Sequence, residues 1–287
     1  MKPQDLTRRE MLSTLTVGAF ALGVAQIKAA APGFKIGACD WTIGKHADPA
    51  ALEVAKKIGL DGVMIDIGSL KNDLPLRRPE VQKSYRRASK QTGVAVASLA
   101  LGLLNDIPLK SDPRAEQWVA DGVEVCKAMH LKVMLVPFFG NGDVRGDKAG
   151  TDAVVAAFKR LAPQAEKAGV ILGVESWLNA DQHVEILQRV DSPAVRVYYD
   201  MGNSQKMGYD ICQEIRFLGK RICEFHAKDY DDLYGKGTTN FPAVRKAMDD
   251  IGYRGWIQIE GVKLPLGVEE SVRYDLNYLR GIFPRTV

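Results

Sequence analysis

Apolar residues fall along the chain in two alternating rhythms. Short runs rich in Val, Ile and Leu cover Phe34–Cys39, Gly62–Ile67, Val94–Leu101, Lys132–Pro137, Val170–Glu175, Val195–Asp200, Ile222–His226 and Trp256–Glu260. Most lack the period-2 alternation of a half-exposed strand, which suits strands covered on both faces. Between them lie segments at helical spacing: Pro49–Ile58, Pro79–Thr92, Pro113–Met129, Thr151–Ala168, Ala180–Val190, Asp210–Leu218, Phe241–Ile251 and Val268–Gly281. The punctuation repeats too. Ile58-Gly59, Ala168-Gly169 and Ile251-Gly252 each close a helix with glycine before the chain re-enters a strand. Strand–helix units of roughly 30 residues, eight times over, predict an α/β fold of the (β/α)8 TIM-barrel type. An open doubly wound sheet would carry a glycine-rich dinucleotide turn after its first strand. Here that strand runs into Cys39-Asp40-Trp41-Thr42. With no linker or low-complexity stretch inside 32–287, a single barrel domain is expected there.

The first thirty-one residues do not share this rhythm. A basic start is followed by an apolar stretch from Met11 to Ala25 and by small residues at Ala29, Ala30 and Ala31. That order is the order of a signal peptide, and the stretch is short for a membrane span of about 20 apolar residues. Thr7-Arg8-Arg9-Glu10-Met11-Leu12 resembles a twin-arginine export signal. The plain alternative is an amphipathic helix with two solvated arginines. On the first reading the partner is the twin-arginine export machinery, which carries folded and often cofactor-loaded proteins, and the destination is the periplasm or another exported location. Cys39, Cys126, Cys212 and Cys223 form no C-x-x-C pair, so buried free thiols are expected.

The 287-residue chain has ordinary globular composition, 46% hydrophobic and 26% charged, which excludes disordered, collagenous and small disulfide-scaffold classes. Its net charge is +4. Lys2, Arg8, Arg9 and Lys28 against Asp5 and Glu10 place half of that in residues 1–31. The near-neutral body argues against nucleic acid as a partner.

The chemistry of such a barrel sits at the C-terminal ends of its strands. The last four runs end at Glu175, Asp200, His226 and Glu260, spaced by 25, 26 and 34 residues, one strand–helix unit each. Each alone reads as a loop or capping residue. Together, three carboxylates drawn out of water would repel, and one divalent cation resolves the repulsion. The mixed oxygen and nitrogen donors suit Mn²⁺, Mg²⁺, Co²⁺ or Zn²⁺.

On these residues the sequence resembles the sugar phosphate isomerase/epimerase group of xylose-isomerase-like barrels. The likeness runs over about residues 34–283. Its most specific parts are Tyr199-Asp200-Met201-Gly202-Asn203, His226-Ala227-Lys228-Asp229, and the stretch from Gly235 through Phe241-Pro242-Ala243-Val244 to Gly255-Trp256. The resemblance implies one divalent metal held by Glu175, Asp200, His226 and Glu260. It also implies that Glu175 and Glu260 move a proton next to a carbonyl through an enediolate, on a ketose or keto-sugar. Asn203 stands where sugar-epimerising relatives often carry His, and Asp66 where many carry Glu. Exported relatives also suggest 3-keto-glycoside lyase or hydratase chemistry at the same centre. A non-catalytic sugar-binding barrel is a third reading. Relatives are often dimers or tetramers, so a homo-oligomer is an expectation. A phosphodiesterase related to apurinic endonucleases would need several more histidines at strand mouths.

Trp41 and Trp177 follow strands one and five and are candidates to stack on a sugar face. With Asp66, Asn203, Lys228 and Asp229 they complete the expected substrate-binding set. Phe138 and Phe139 are expected to form an apolar wall, and His46, His130 and His183 to be surface or structural.

Overall fold

Eight parallel strands close on themselves: β1 (Lys35–Cys39), β2 (Gly62–Asp66), β3 (Ala95–Ala100), β4 (Val133–Phe138), β5 (Ile171–Ser176), β6 (Val195–Asp200), β7 (Ile222–Ala227) and β8 (Trp256–Ile259). Each pairs with the next in sequence. The ring shuts where Lys35–Ala38 lie beside Trp256–Ile259. The computed structural model describes residues 33–261 and 263–285. The segment read as a twin-arginine signal lies outside them.

The helices are α1 (Ala51–Ile58), α2 (Pro79–Thr92), α3 (Pro113–Met129), α4 (Lys148–Ala168), α5 (Ala180–Val190), α6 (Met201–Lys206), α7 (Ile211–Leu218), α8 (Phe241–Asp250) and α9 (Val268–Ile282). The expected bounds hold residue for residue for α2, α3 and α5. Helix α4 starts three residues earlier than expected because the Asp147 side chain caps it, accepting from Gly150 N. Gly59 and Gly169 end their helices in the left-handed region, at φ 99° and 66°, as the repeated punctuation requires.

Two apolar layers hold the barrel. Val63, Leu99, Val136, Val197, Phe225 and Ile257 pack outward beneath the helices, while Cys39, Met64, Ala100, Leu135 and Tyr198 cluster separately. Glu224 is buried on β7, where its Oε1 accepts from Ser98 Oγ at 2.8 Å, Gln258 Nε2 at 2.8 Å and Tyr198 Oη at 3.1 Å. Burial pushes its carboxyl pKa up and these three donors pull it back. Two residues on, His226 faces the same side of the strand. The four thiols are free, as expected, but only Cys39 and Cys126 are buried; Cys212 and Cys223 are half-buried.

Candidate metal centre and substrate cleft

Glu175 lies one residue before the end of β5, Asp200 ends β6, His226 precedes the last residue of β7, and Glu260 follows β8 directly. One ligand atom from each lies within 4.8 Å of all the others. His226 Nδ1 is the hub, 2.8 Å from Glu175 Oε1, 3.5 Å from Glu260 Oε2 and 3.7 Å from Asp200 Oδ2. Its other ring nitrogen lies 3.3 Å from the buried Cys39 Sγ.

Local sequence explains how these groups are held. Asp200 doubles as the N-cap of α6, its Oδ1 accepting from Asn203 N at 2.8 Å, which leaves Oδ2 for the centre. Helix α6 escaped the sequence reading because six residues carry too little periodicity. Its Gly202 is obligatory by close approach: an added Cβ would sit 2.8 Å from the Lys228 side chain. Lys228 then reaches Glu260 Oε2 at 2.5 Å and Asp200 Oδ2 at 3.3 Å. Trp41 Nε1 donates to Glu260 Oε1 at 3.2 Å.

Burial pushes the Glu175 carboxyl up to about 7, with His226 pulling the other way. Burial would also raise Asp200, but Lys228 and His226 hold it well below the usual carboxylate range. Burial would lower His226, but Cys39 and the Glu175, Glu260 and Asp200 carboxylates hold its pKa well above the ordinary value. The cluster therefore borrows protons to offset its negative charge. With a neutral imidazole, three carboxylates against one lysine leave two negative charges, the complement of a divalent cation. Ligands on opposite sides of an ion at about 2.0–2.2 Å lie about 4.0–4.4 Å apart. The spread of 4.8 Å needs little contraction, so the residues fit the metal.

The centre opens into a cleft of about 720 Å³. Of the expected set, Trp41, Asp66, Trp177, Asn203 and Lys228 line it with Glu175 and Glu260. Asn203 Oδ1 accepts from Tyr230 Oη at 2.6 Å, which brings in a tyrosine the sequence reading missed. Trp177 stacks edge-on against Phe139 at 5.1 Å, and its buried indole N–H has no partner among the described residues. Asp229 is not among the lining residues. Its carboxylate accepts from Asp231 N and Thr239 N and shapes the β7 loop instead. Phe139 lines the cleft, but Phe138 is buried outward against Phe158. His46 corrects a third expectation: it lines the cleft and pairs with Asp66 Oδ1 at 3.2 Å. The signal was its place in the loop after β1, beside Trp41. His183 is structural, as expected: it is buried, with Nε2 3.0 Å from Ser176 Oγ and Nδ1 3.0 Å from Asn179 O.

The family described as the xylose isomerase-like TIM barrel matches residues 52–281. This chain belongs to that family. A relative, the 2-epi-5-epi-valiolone 7-phosphate 2-epimerase of Actinoplanes sp., is 27% identical over 61% of this chain. The match spans 65% of that relative's length. Among solved structures, D-psicose 3-epimerase from Clostridium cellulolyticum H10 superposes with a TM-score of 0.75 at 17% identity, covering 87% of this chain and 99% of its own. The 3-keto-D-glucoside 4-epimerase from E. coli gives 0.72 at 17% identity, covering 86% and 99%. At such identities the two structures speak to the fold.

Proposed function

We propose that the protein is a metal-dependent sugar isomerase or epimerase acting on a ketose or keto-sugar. The observation that carries this is the convergence of Glu175, Asp200, His226 and Glu260 at the floor of a sugar-sized cleft. The epimerase names of the matched relatives support it. These four residues would hold one divalent ion, Mn²⁺, Mg²⁺, Co²⁺ or Zn²⁺. When bound, it supplies Lewis-acid stabilisation of charge on a carbonyl and a neighbouring hydroxyl.

The chain's own groups do the rest. Glu175 and Glu260 come from strands separated by β6 and β7, so they flank the substrate. One removes the proton next to the carbonyl and the other returns it on the opposite face. A general base works best with a pKa near the operating pH, and burial brings Glu175 there. Lys228 keeps Glu260 and Asp200 oriented. Asn203, positioned by Tyr230, bonds a hydroxyl without competing as an acid. Trp41 and Trp177 offer faces to the ring. The same reading makes it an exported enzyme, on the strength of Arg8-Arg9 ahead of the apolar run.

Metal analysis of the purified protein, followed by deuterium uptake from D2O into a panel of ketoses and keto-glycosides, tests the proposal. About one divalent ion per chain and uptake at the carbon next to the carbonyl, stopped by chelation, are expected. Saturable sugar binding without any uptake would identify a binding protein instead.

A further inference from the structure

His226 meets the three carboxylates through Nδ1, and its other ring nitrogen has a partner that the proton transfer does not use. Nε2 lies 3.3 Å from Sγ of Cys39, the last residue of β1. Both residues are 0% exposed. The closure of the barrel brings them together, because β8 alone separates β1 from β7 in the ring. Cys39 has one other polar neighbour, Met64 Sδ at 4.0 Å, its register partner on β2. Aromatic rings confine the imidazole. Tyr198 packs on it at 4.6 Å between centroids, with its hydroxyl tied to Glu224, and Trp41 meets it edge-on at 6.3 Å. Among the described residues, Cys39 Sγ is the polar atom that Nε2 meets.

A neutral imidazole carries one hydrogen, on either nitrogen. To offer Nδ1 to an ion, His226 must carry that hydrogen on Nε2. A buried N–H needs an acceptor. In most metal-binding histidines the acceptor is a carboxylate, a backbone carbonyl or a water, which also makes the imidazole more basic. Here it is a sulfur. A thiol accepts weakly and donates weakly. With Nε2–H directed at Sγ, the thiol hydrogen turns to Met64 Sδ, and each hydrogen has a place. A carboxylate in this position would bring a fourth negative charge to the centre. The thiol orients the ring without one.

We infer that Cys39 is a positioning residue for the metal centre: its sulfur accepts from Nε2 of His226 and so commits Nδ1 to the ion. The inference rests on the proposed metal site. Glu175, Asp200 and Glu260 supply the charge, and Cys39 selects the imidazole nitrogen that faces them. Cys39 is absent from the cleft lining, so it acts through His226.

The test titrates Zn²⁺ against a competing chelator in the wild-type protein, Cys39→Ser and Cys39→Ala. Affinity should fall about 10- to 100-fold in Cys39→Ala, which lacks an acceptor. Cys39→Ser, which keeps one, should recover most of the loss. Equal losses in the two variants mean that the sulfur only fills space, and unchanged affinity in Cys39→Ala means that Nε2 needs no partner. Either result overturns the inference. Nitrogen NMR of the histidine-labelled wild type decides the matter even if Cys39→Ala fails to fold. The imidazole whose resonances move most on zinc addition should carry zinc on Nδ1 and a slowly exchanging hydrogen on Nε2. In Cys39→Ala that hydrogen should shift upfield, having lost its bond. Zinc on Nε2, or an Nε2 hydrogen that exchanges as fast as that of the exposed His130, overturns the inference and leaves the functional proposal standing. A wild-type protein that binds no divalent ion overturns both.

Discussion

At the mouth of the barrel strands β5 to β8 present Glu175, Asp200, His226 and Glu260, whereas β2 and the loops after β3 and β4 bring Asp66, Leu103 and Phe139 to the same mouth. On the first side Glu175, Asp200 and His226 are buried, Glu260 is partly buried, and each is held by another charged group. On the second, one carboxylate is held by backbone N–H groups and His46, and hydrophobic side chains share the wall with Ser69, Lys71, Asn105 and Asp106. The contrast separates two costs. Buried charges in mutual contact act as a unit, and losing one disables the chemistry. Apolar walls contribute area, and losing part of one weakens binding.

The largest expected effect therefore falls on the charged side. Glu175→Gln or Glu260→Gln keeps the shape and removes the base. Deuterium uptake should fall about 10²- to 10⁴-fold, with a much smaller change in KM. A fall of less than tenfold in both variants would break the division between the halves. On the apolar side, Phe139→Ala should act on KM. For a 4-nitrophenyl keto-glycoside a rise of about tenfold, or ~1.4 kcal/mol, is expected, with less change for the methyl compound. Equal effects on the two would mean that Phe139 does not meet the substituent by which they differ.

The two sides also differed in how legible they were. The acidic quartet could be read from sequence because each member ends an apolar run, and the runs recur at the interval of one structural unit. The strands showed themselves for the same reason, being covered on both faces. The opposite side left no such trace. His46 sits in an irregular loop, and its partner is twenty residues away at the end of another strand. Backbone N–H groups of Ala47 and Asp66 donating to Asp40 brace that pairing, and no periodicity encodes them. Asp229 shows the converse error. It lies three residues past His226 in a motif-like run, yet its carboxylate is used up by backbone N–H groups of its own loop.

The smallest predicted effect is on stability, and it has opposite signs on the two sides. His183 supports β5 through Ser176, and burial lowers its pKa from 6.5 to about 4. The unfolded chain then binds the proton first. The stabilisation is present above pH 6.5 and is lost as pH falls towards 4, by about 1 kcal/mol between pH 7 and 5.5. Asp40 braces the β1 loop, and burial raises its carboxyl from 3.8 to about 7 against the hydrogen bonds it accepts from Asp66 N and Ala47 N. Here the folded state binds the proton first, so its contribution is present at low pH and fades as pH rises through 7. A whole-protein melting curve mixes both. The difference between wild type and His183→Gln isolates the first: its unfolding free energy should lose less than the wild type's on acidification from pH 7 to 5.5. Parallel curves would mean that His183 already carries its proton in the fold, contrary to its bonds to Ser176 and Asn179.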